Sequence, residues 1–393
     1  MNPSSSRRRF LAAGLTLPAV ASAVQTKSSE PQAAPKGSPL AGTPKFTYRT
    51  LGKTGLKVTT VGFGCMITSD GSVVERAADI GVTYFDTARG YQGGNNERMV
   101  GAALKSKRNQ ITLSSKTHAG TRAEALSDLD TSLKELGTDH LDIWYLHAKT
   151  RPAEVTDDLI DVQQTAKRAG KIRFAGVSTH GGHRELIPHV ANLNHFDVVL
   201  TTYNFAMEPY MDELVSTLKN ANIGVVAMKV MAGGQRQTRS GGANDRTREI
   251  LQRQGASLAA LKWVLRNRNV ATTIPSITDG DQLEENLKAM AAPFAPEDEK
   301  ILTARLNEIR PYYCNMCGEC EGTCSKGLPV ADVLRYVMYA EGYGEFGLGR
   351  ENFQLLSPAQ SAVRCGDCKQ CTVECPRGVR VAERVSRGQE YFA

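Results

Sequence analysis

Eight of the nine cysteines fall into two runs of one pattern: Cys314, Cys317, Cys320 and Cys324, then Cys365, Cys368, Cys371 and Cys375. Each run reads CxxCxxCxxxC, the spacing that supplies thiolates to [4Fe-4S] clusters, and Pro376 follows the second as it does in the bacterial form of this motif. Ser325 stands in the corresponding place after the first run. A zinc ribbon would separate two CxxC pairs by a longer loop, and a disulfide framework seldom repeats one three-gap rhythm. Where two such runs occur, the fourth cysteine of each ligates the other cluster. Cys324 is therefore expected with the second trio and Cys375 with the first, around two [4Fe-4S] clusters that move single electrons. Cys65 stands alone and reads as a small buried hydrophobe.

A second set of residues suits two-electron chemistry. Asp86, Lys116, His147 and Ser178 are separated by 30, 31 and 31 residues, and Tyr91 follows Asp86 by five. A tyrosine with an ordinary pKa of about 10 is a poor acid near neutrality, but a neighbouring ammonium stabilises its phenolate. Lys116 is expected to lower the pKa of Tyr91 in this way, with Asp86 keeping Lys116 charged. His147 can hydrogen-bond a carbonyl oxygen and orient it. Together these groups can reduce a carbonyl by hydride and proton.

The spacing of about 30 residues is that of one strand-helix unit, and the surrounding sequence supplies such units. Short β-branched runs alternate with amphipathic stretches from Phe46 to about Met290, in the manner of repeated βα units. Eight runs qualify as strands: 59–65, 82–88, 111–116, 141–147, 172–179, 196–204, 222–230 and 270–277. Eight is the count that closes a (β/α)8 TIM barrel, whose active site lies at the C-terminal ends of its strands. Between them, Ala125, Leu129, Leu133 and Leu136 share one face of an expected helix that ends at Gly137. The spacer between the cysteine runs carries "VADVLRYVMYAEGY", apolar at helical intervals, which predicts a small, mainly α-helical cluster module.

At this point the resemblance to the aldo-keto reductase family is plain, carried by "GFGC", "YFDTARGY", "LDIWYLH" and "GVST" in order. The double cysteine run makes the chain similar to the branch with a C-terminal ferredoxin-type domain. The resemblance implies that Asp86, Tyr91, Lys116 and His147 are the catalytic tetrad and that NADP(H) or NAD(H) lies across the barrel mouth. It also implies cofactor contacts from Ser178, Thr179, Lys229, Ser276, Gln282, Glu285 and Asn286. Thr179 replaces a common asparagine, Leu200 a frequent glutamine, and Met228 a ring that often stacks on nicotinamide. Ser276 and Gln282 stand where many members place Lys and Arg on the 2′-phosphate. Arg236, Arg239 and Arg246, on a Gly-rich loop, offer an alternative hold on phosphates. His118 is a candidate for the substrate pocket; His180, His183 and His189 show no metal-ligand spacing.

The chain begins "MNPSSSRRRFLAAGLTLPAVASA", which resembles a twin-arginine export signal, with cleavage expected after Ala23. Its apolar stretch is too short to span a bilayer, so no permanent membrane anchor is expected. Residues 24–46 read as a flexible linker, 47–292 as the barrel, 293–313 as a connector helix and 314–393 as the cluster module. The formal charge of +7 falls to about +4 once Arg7, Arg8 and Arg9 are removed, which gives no reason to invoke nucleic acid. A periplasmic or otherwise exported oxidoreductase of a small carbonyl or alcohol substrate is expected, with room for an electron-transfer protein partner. The alternative is a nucleotide-binding or redox-sensing barrel with an electron-carrier domain and little turnover. No flavin motif is present to convert between hydride and single electrons.

Overall fold

The alternation of apolar runs and amphipathic stretches builds ten strands and their helices in a computed structural model that describes residues 45–207, 209–233 and 255–393. The expected export signal and linker, and Arg236, Arg239 and Arg246, lie outside the described residues. Strands β3 (Phe63–Gly64), β4 (Tyr84–Asp86), β5 (Thr112–Thr117), β6 (Leu141–Leu146), β7 (Ile172–Thr179), β8 (Val198–Thr202), β9 (Gly224–Met228) and β10 (Thr272–Thr273) pair in sequence order. All their pairings are parallel. Parallel bridges from Val61 to Thr273 and from Gly64 to Ser276 join the last strand to the first, giving a nearly closed barrel.

Around it lie α1 (Gly71–Asp79), α2 (Asn95–Leu104), α3 (Arg122–Leu136), α4 (Asp157–Arg168), α5 (His183–Asn192), α6 (Tyr210–Asn220), α7 (Ala256–Arg266) and α8 (Gly280–Leu287). The third helix shows how local sequence sets such an element. The Thr121 side chain caps its start by accepting from Glu124 N, and Gly137 ends it in the left-handed conformation,. Ala125, Leu129 and Leu136 are buried and Leu133 packs partly buried against the same core.

One expected strand divides in the structure. Residues 59–65 do not form one strand, because Lys57–Thr59 (β2) pairs antiparallel with Tyr48–Thr50 (β1) while the barrel strand starts at Phe63. The hairpin lies at the N-terminal end of the barrel: Lys53 N bonds Asn222 O, and Leu51 packs against Gly224. Leu51 and Val58 join Tyr84, Val198 and Val226 in the barrel interior. That end is filled, which leaves the C-terminal ends of the strands as the face where a ligand can enter.

Helix α9 (Pro296–Ile309) joins the outer ring, since Asp298 pairs with Lys262 of α7 at 3.2 Å and Leu302 packs on Ala259 and Ala260. The cysteine module follows, built from α10 (Val330–Tyr343), α11 (Phe346–Gln354), α12 (Pro358–Ser361) and α13 (Val381–Phe392). Its small core contains Val333, Leu334, Val337, Phe353, Val385 and Phe392. The spacer helix expected between the cysteine runs is α10.

Candidate active site at the barrel mouth

Asp86 ends β4 and Lys116 lies near the end of β5, so adjacent parallel strands place both at the C-terminal rim. Lys116 Nζ donates to Asp86 Oδ2 at 2.5 Å, to Thr87 O at 2.6 Å and to Tyr91 OH at 3.3 Å. The other Asp86 oxygen accepts from Ser114 Oγ at 2.7 Å. Burial pushes Asp86 up and Lys116 down, while their mutual attraction opposes both shifts.

The loop that carries Tyr91 is tied down by its own buried polar groups. Thr87 Oγ1 donates to Asn96 Oδ1 at 2.7 Å, and Asn96 Nδ2 donates to the carbonyls of Cys65 and Thr68. Arg89 pairs with buried Glu97, which accepts from Ser115 Oγ at 2.6 Å. Gly94 turns at φ 89°, and a Cβ there would collide with the Arg89 guanidinium,. Cys65 is fully buried in the core beside this network, and burial pushes its thiol up.

His147 follows β6, with its ring 6.1 Å from that of Tyr91 in an edge-to-face arrangement. It is buried, and its Nδ1 has no hydrogen-bond partner among the described residues. Burial, followed by nearby positive charge and other histidines, holds it well below the ordinary histidine pKa. It is therefore a neutral imidazole at pH 7 and can donate one hydrogen bond.

The Tyr91 phenol differs from the sequence expectation. Burial first, and then the Asp86 charge, hold it well above its ordinary value. Lys116 makes its two shorter contacts with Asp86 and Thr87, so the phenol receives the longest of the three. The proton accordingly rests on Tyr91 in the free protein.

A cavity of about 370 Å³ opens beside Tyr91 and Asp86. Of the expected cofactor residues, Lys229, Ser276, Gln282, Glu285 and Asn286 line it. Ser178 and Thr179 do not: both are buried, Ser178 Oγ accepts from Ala148 N, and Thr179 Oγ1 donates to Gly181 O. Met228 lines the cavity, whereas Leu200 is buried in the barrel interior. Gln282 uses its amide on Thr278 and Asp279. Sequence reasoning missed Gly342 and Tyr343, which line the cavity from α10. The tyrosines at 336, 339 and 343, at helical spacing, were the available signal.

The residues on this wall suit a nucleotide. Lys229 adopts a left-handed backbone at φ 53°, and its ammonium is held well below its ordinary pKa by burial and then by the charge of Arg335. A half-buried amine with no carboxylate partner among the described residues suits a phosphate or carboxamide oxygen,.

The eight module cysteines are all free and separate into two neighbourhoods. Burial pushes Cys314 up to about 12 and Cys320 to about 11, and the thiol charges that add to these shifts include Cys317 and Cys375. Cys365 is raised by burial and then by Cys368, Cys371 and Cys324. The last four rim a cavity of about 280 Å³. Among the described residues, no three His, Cys, Asp or Glu side chains converge as on a single metal ion. Two sets of thiols that repel one another's charge, one of them around open space, suit polynuclear clusters, whose iron would displace the thiol protons,.

Residues 69–306 match the Aldo/keto reductase family, and residues 313–380 match the 4Fe-4S dicluster domain. The chain belongs to the aldo/keto reductase family. This aldo/keto reductase is 26% identical over 332 residues to an L-glyceraldehyde 3-phosphate reductase of Escherichia coli O157:H7, a match covering 67% of the chain and 94% of the relative. It is 26% identical to an L-galactose dehydrogenase of Arabidopsis thaliana, over 63% of the chain and 88% of that relative. In fold it resembles an aldo-keto reductase of Bacillus halodurans in its holo form, with a TM-score of 0.57 and 24% identity, covering 67% of this chain and 96% of that one. It is therefore an oxidoreductase of this family with an added 4Fe-4S domain. Among the described residues, no helix is long and apolar enough to cross a membrane.

Proposed function

We propose that this protein reduces a small carbonyl compound, or oxidises the corresponding alcohol, with NADP(H) or NAD(H) held at the barrel mouth. The observation that carries this reading is the Asp86–Lys116–Tyr91 chain of hydrogen bonds opening into the cavity beside a neutral His147. The bound nicotinamide would supply or accept the hydride at the substrate carbon. In the reducing direction His147 donates a hydrogen bond to the carbonyl oxygen and Tyr91 gives its proton to that oxygen as charge develops there. Lys116 then stabilises the phenolate, and Asp86 holds Lys116 in place. Lys229, Ser276, Gln282, Glu285 and Asn286 would hold the nucleotide. The names of the relatives, a reductase of a phosphorylated aldehyde and a sugar dehydrogenase, support the carbonyl/alcohol class.

The cysteine sets are read as ligands of two [4Fe-4S] clusters, with Cys375 completing the first trio and Cys324 the second. The twin-arginine sequence at residues 7–9 supports export of a folded, cluster-loaded protein to the periplasm. Tyr91→Phe tests the proton role: kcat/KM for carbonyl reduction is expected to fall about 10²–10⁴-fold, with nucleotide binding and iron content retained. Turnover within threefold of the wild type would overturn the assignment.

A further inference from the structure

Helix α10 belongs to the cysteine module yet forms part of the barrel's mouth. Gly342 and Tyr343 line the cavity that contains Tyr91. The helix is pressed down so closely that a Cβ on Gly342 would come within 2.0 Å of Gly233 O, in the turn after β9. Tyr339 lies against Lys229, with the ammonium 4.6 Å from its ring centroid. Two further contacts fix the docking: Tyr313 OH accepts from Asn204 Nδ2 at 2.9 Å, and the Met316 carbonyl packs at Gly181.

Arg335 lies four residues before Tyr339, on the same side of this helix. Its side chain is 11% exposed, ion-paired with Asp332 Oδ1 at 2.9 Å and with the guanidinium 5.3 Å from the Tyr336 ring. Its Nε is buried without a hydrogen-bond partner among the described residues. His180 lines the cavity together with Gly342 and Tyr343 of this helix, and it is the last of three histidine rings in succession. His118, which is exposed, stacks on His147 at 3.9 Å, and His180 lies 6.3 Å beyond. His147 and His180 are each only 7% exposed, and the Nδ1 of each is buried and unpartnered among the described residues. Burial, and after it neighbouring positive charges that include Arg335, hold His147 and His180 well below their ordinary values. Of the neighbouring carboxylates, Asp86 is taken up by Lys116 and Ser114, and Asp332 by Arg335. Each neutral imidazole can give one donor to a ligand, and the Arg335 guanidinium adds positive charge and donors only, which favours an anionic group.

We propose that Arg335, supplied by the cysteine module, completes the substrate site and selects carbonyl compounds that carry an anionic group, carboxylate or phosphate, close to the reacting carbon. The inference rests on the carbonyl-reductase reading of the barrel. A guanidinium recognises such anions through paired donors, and the neutral histidines add donors without a second formal charge. The cluster module then has a role in substrate choice that does not require electrons to cross from it.

The test uses cluster-loaded, nucleotide-bound protein and matched substrate pairs: pyruvate against methyl pyruvate, and a phosphorylated aldehyde against the same aldehyde without phosphate. The wild type is expected to favour the anionic member of at least one pair by tenfold or more in kcat/KM, and that pair identifies the anion. Arg335→Gln is expected to lower this preference by about 10–100-fold. Arg335→Lys, the fallback where the Gln variant loses iron, is expected to lower it less, and Asp332→Asn to preserve or raise it. A wild-type ratio near one, or a ratio unchanged in both Arg335 variants, would overturn the proposal. Calorimetric binding of oxalate and inorganic phosphate separates the two readings. Binding weakened tenfold by Arg335→Gln, with no carbonyl turned over, supports the anion site and rejects the reductase reading. Turnover of neutral carbonyls with no Arg335 effect does the reverse.

Discussion

Asp86, Lys116 and Tyr91 are joined by hydrogen bonds of 2.5 and 3.3 Å, from elements fixed by one parallel sheet and a buried polar layer. The module cysteines occupy turns between short helices, where the polar contacts of their sulfurs include Met316 N at 3.4 Å and Val373 O at 3.7 Å. The tetrad is positioned by the fold before any ligand arrives. The cysteines gather thiols that raise one another's pKa until a cation separates them. The barrel site is thus organised by backbone geometry and the module by what it binds, although α10 makes both contribute to one cavity wall.

This contrast is open to perturbation from both sides, and the largest expected effect comes from removing iron. Anaerobic chelation is expected to raise proteolytic cleavage within residues 313–329 and 364–380 on the order of ten-thousandfold, with the barrel left resistant. Equal loss of protection in both regions would show that the barrel, too, depends on the clusters. The smaller effect is on the barrel side. Asp86→Asn leaves the Lys116 ammonium buried without its counter-charge, and is expected to cost about 3–5 kcal/mol in denaturant unfolding while iron content stays unchanged. A cost below about 1 kcal/mol, the range of exposed pairs, would mean that the network does not organise the mouth.

Much of the barrel was legible in the chain because strand-end residues recur at the length of one βα unit, so Asp86, Lys116 and His147 share a rim. The hairpin at Tyr48–Thr59 was not, since its two strands are three residues each and the Gly52–Thr54 turn lies where a single strand could equally begin. Ser178 also ends a strand, but whether its hydroxyl faces a cavity or the Ala148 amide depends on the neighbouring loop. The raised Tyr91 pKa was hidden for a similar reason: Lys116 has two closer partners, one of them a backbone carbonyl. The least legible feature is the placing of Gly342 and Tyr343 at the barrel mouth. Periodicity identified α10 as a helix, but its docking over a mouth some 200 residues earlier in the chain is a long-range contact with no local sequence signature.

The most direct measurement is an anaerobic titration of the cluster-loaded protein with NADPH and with NADH, following cluster absorbance, with carbonyl substrate added afterwards. A two-electron barrel beside one-electron clusters is expected to leave the clusters unbleached by nucleotide while substrate oxidises the nucleotide stoichiometrically. Bleaching of the clusters by nucleotide alone, at the rate of nucleotide oxidation, would contradict this separation.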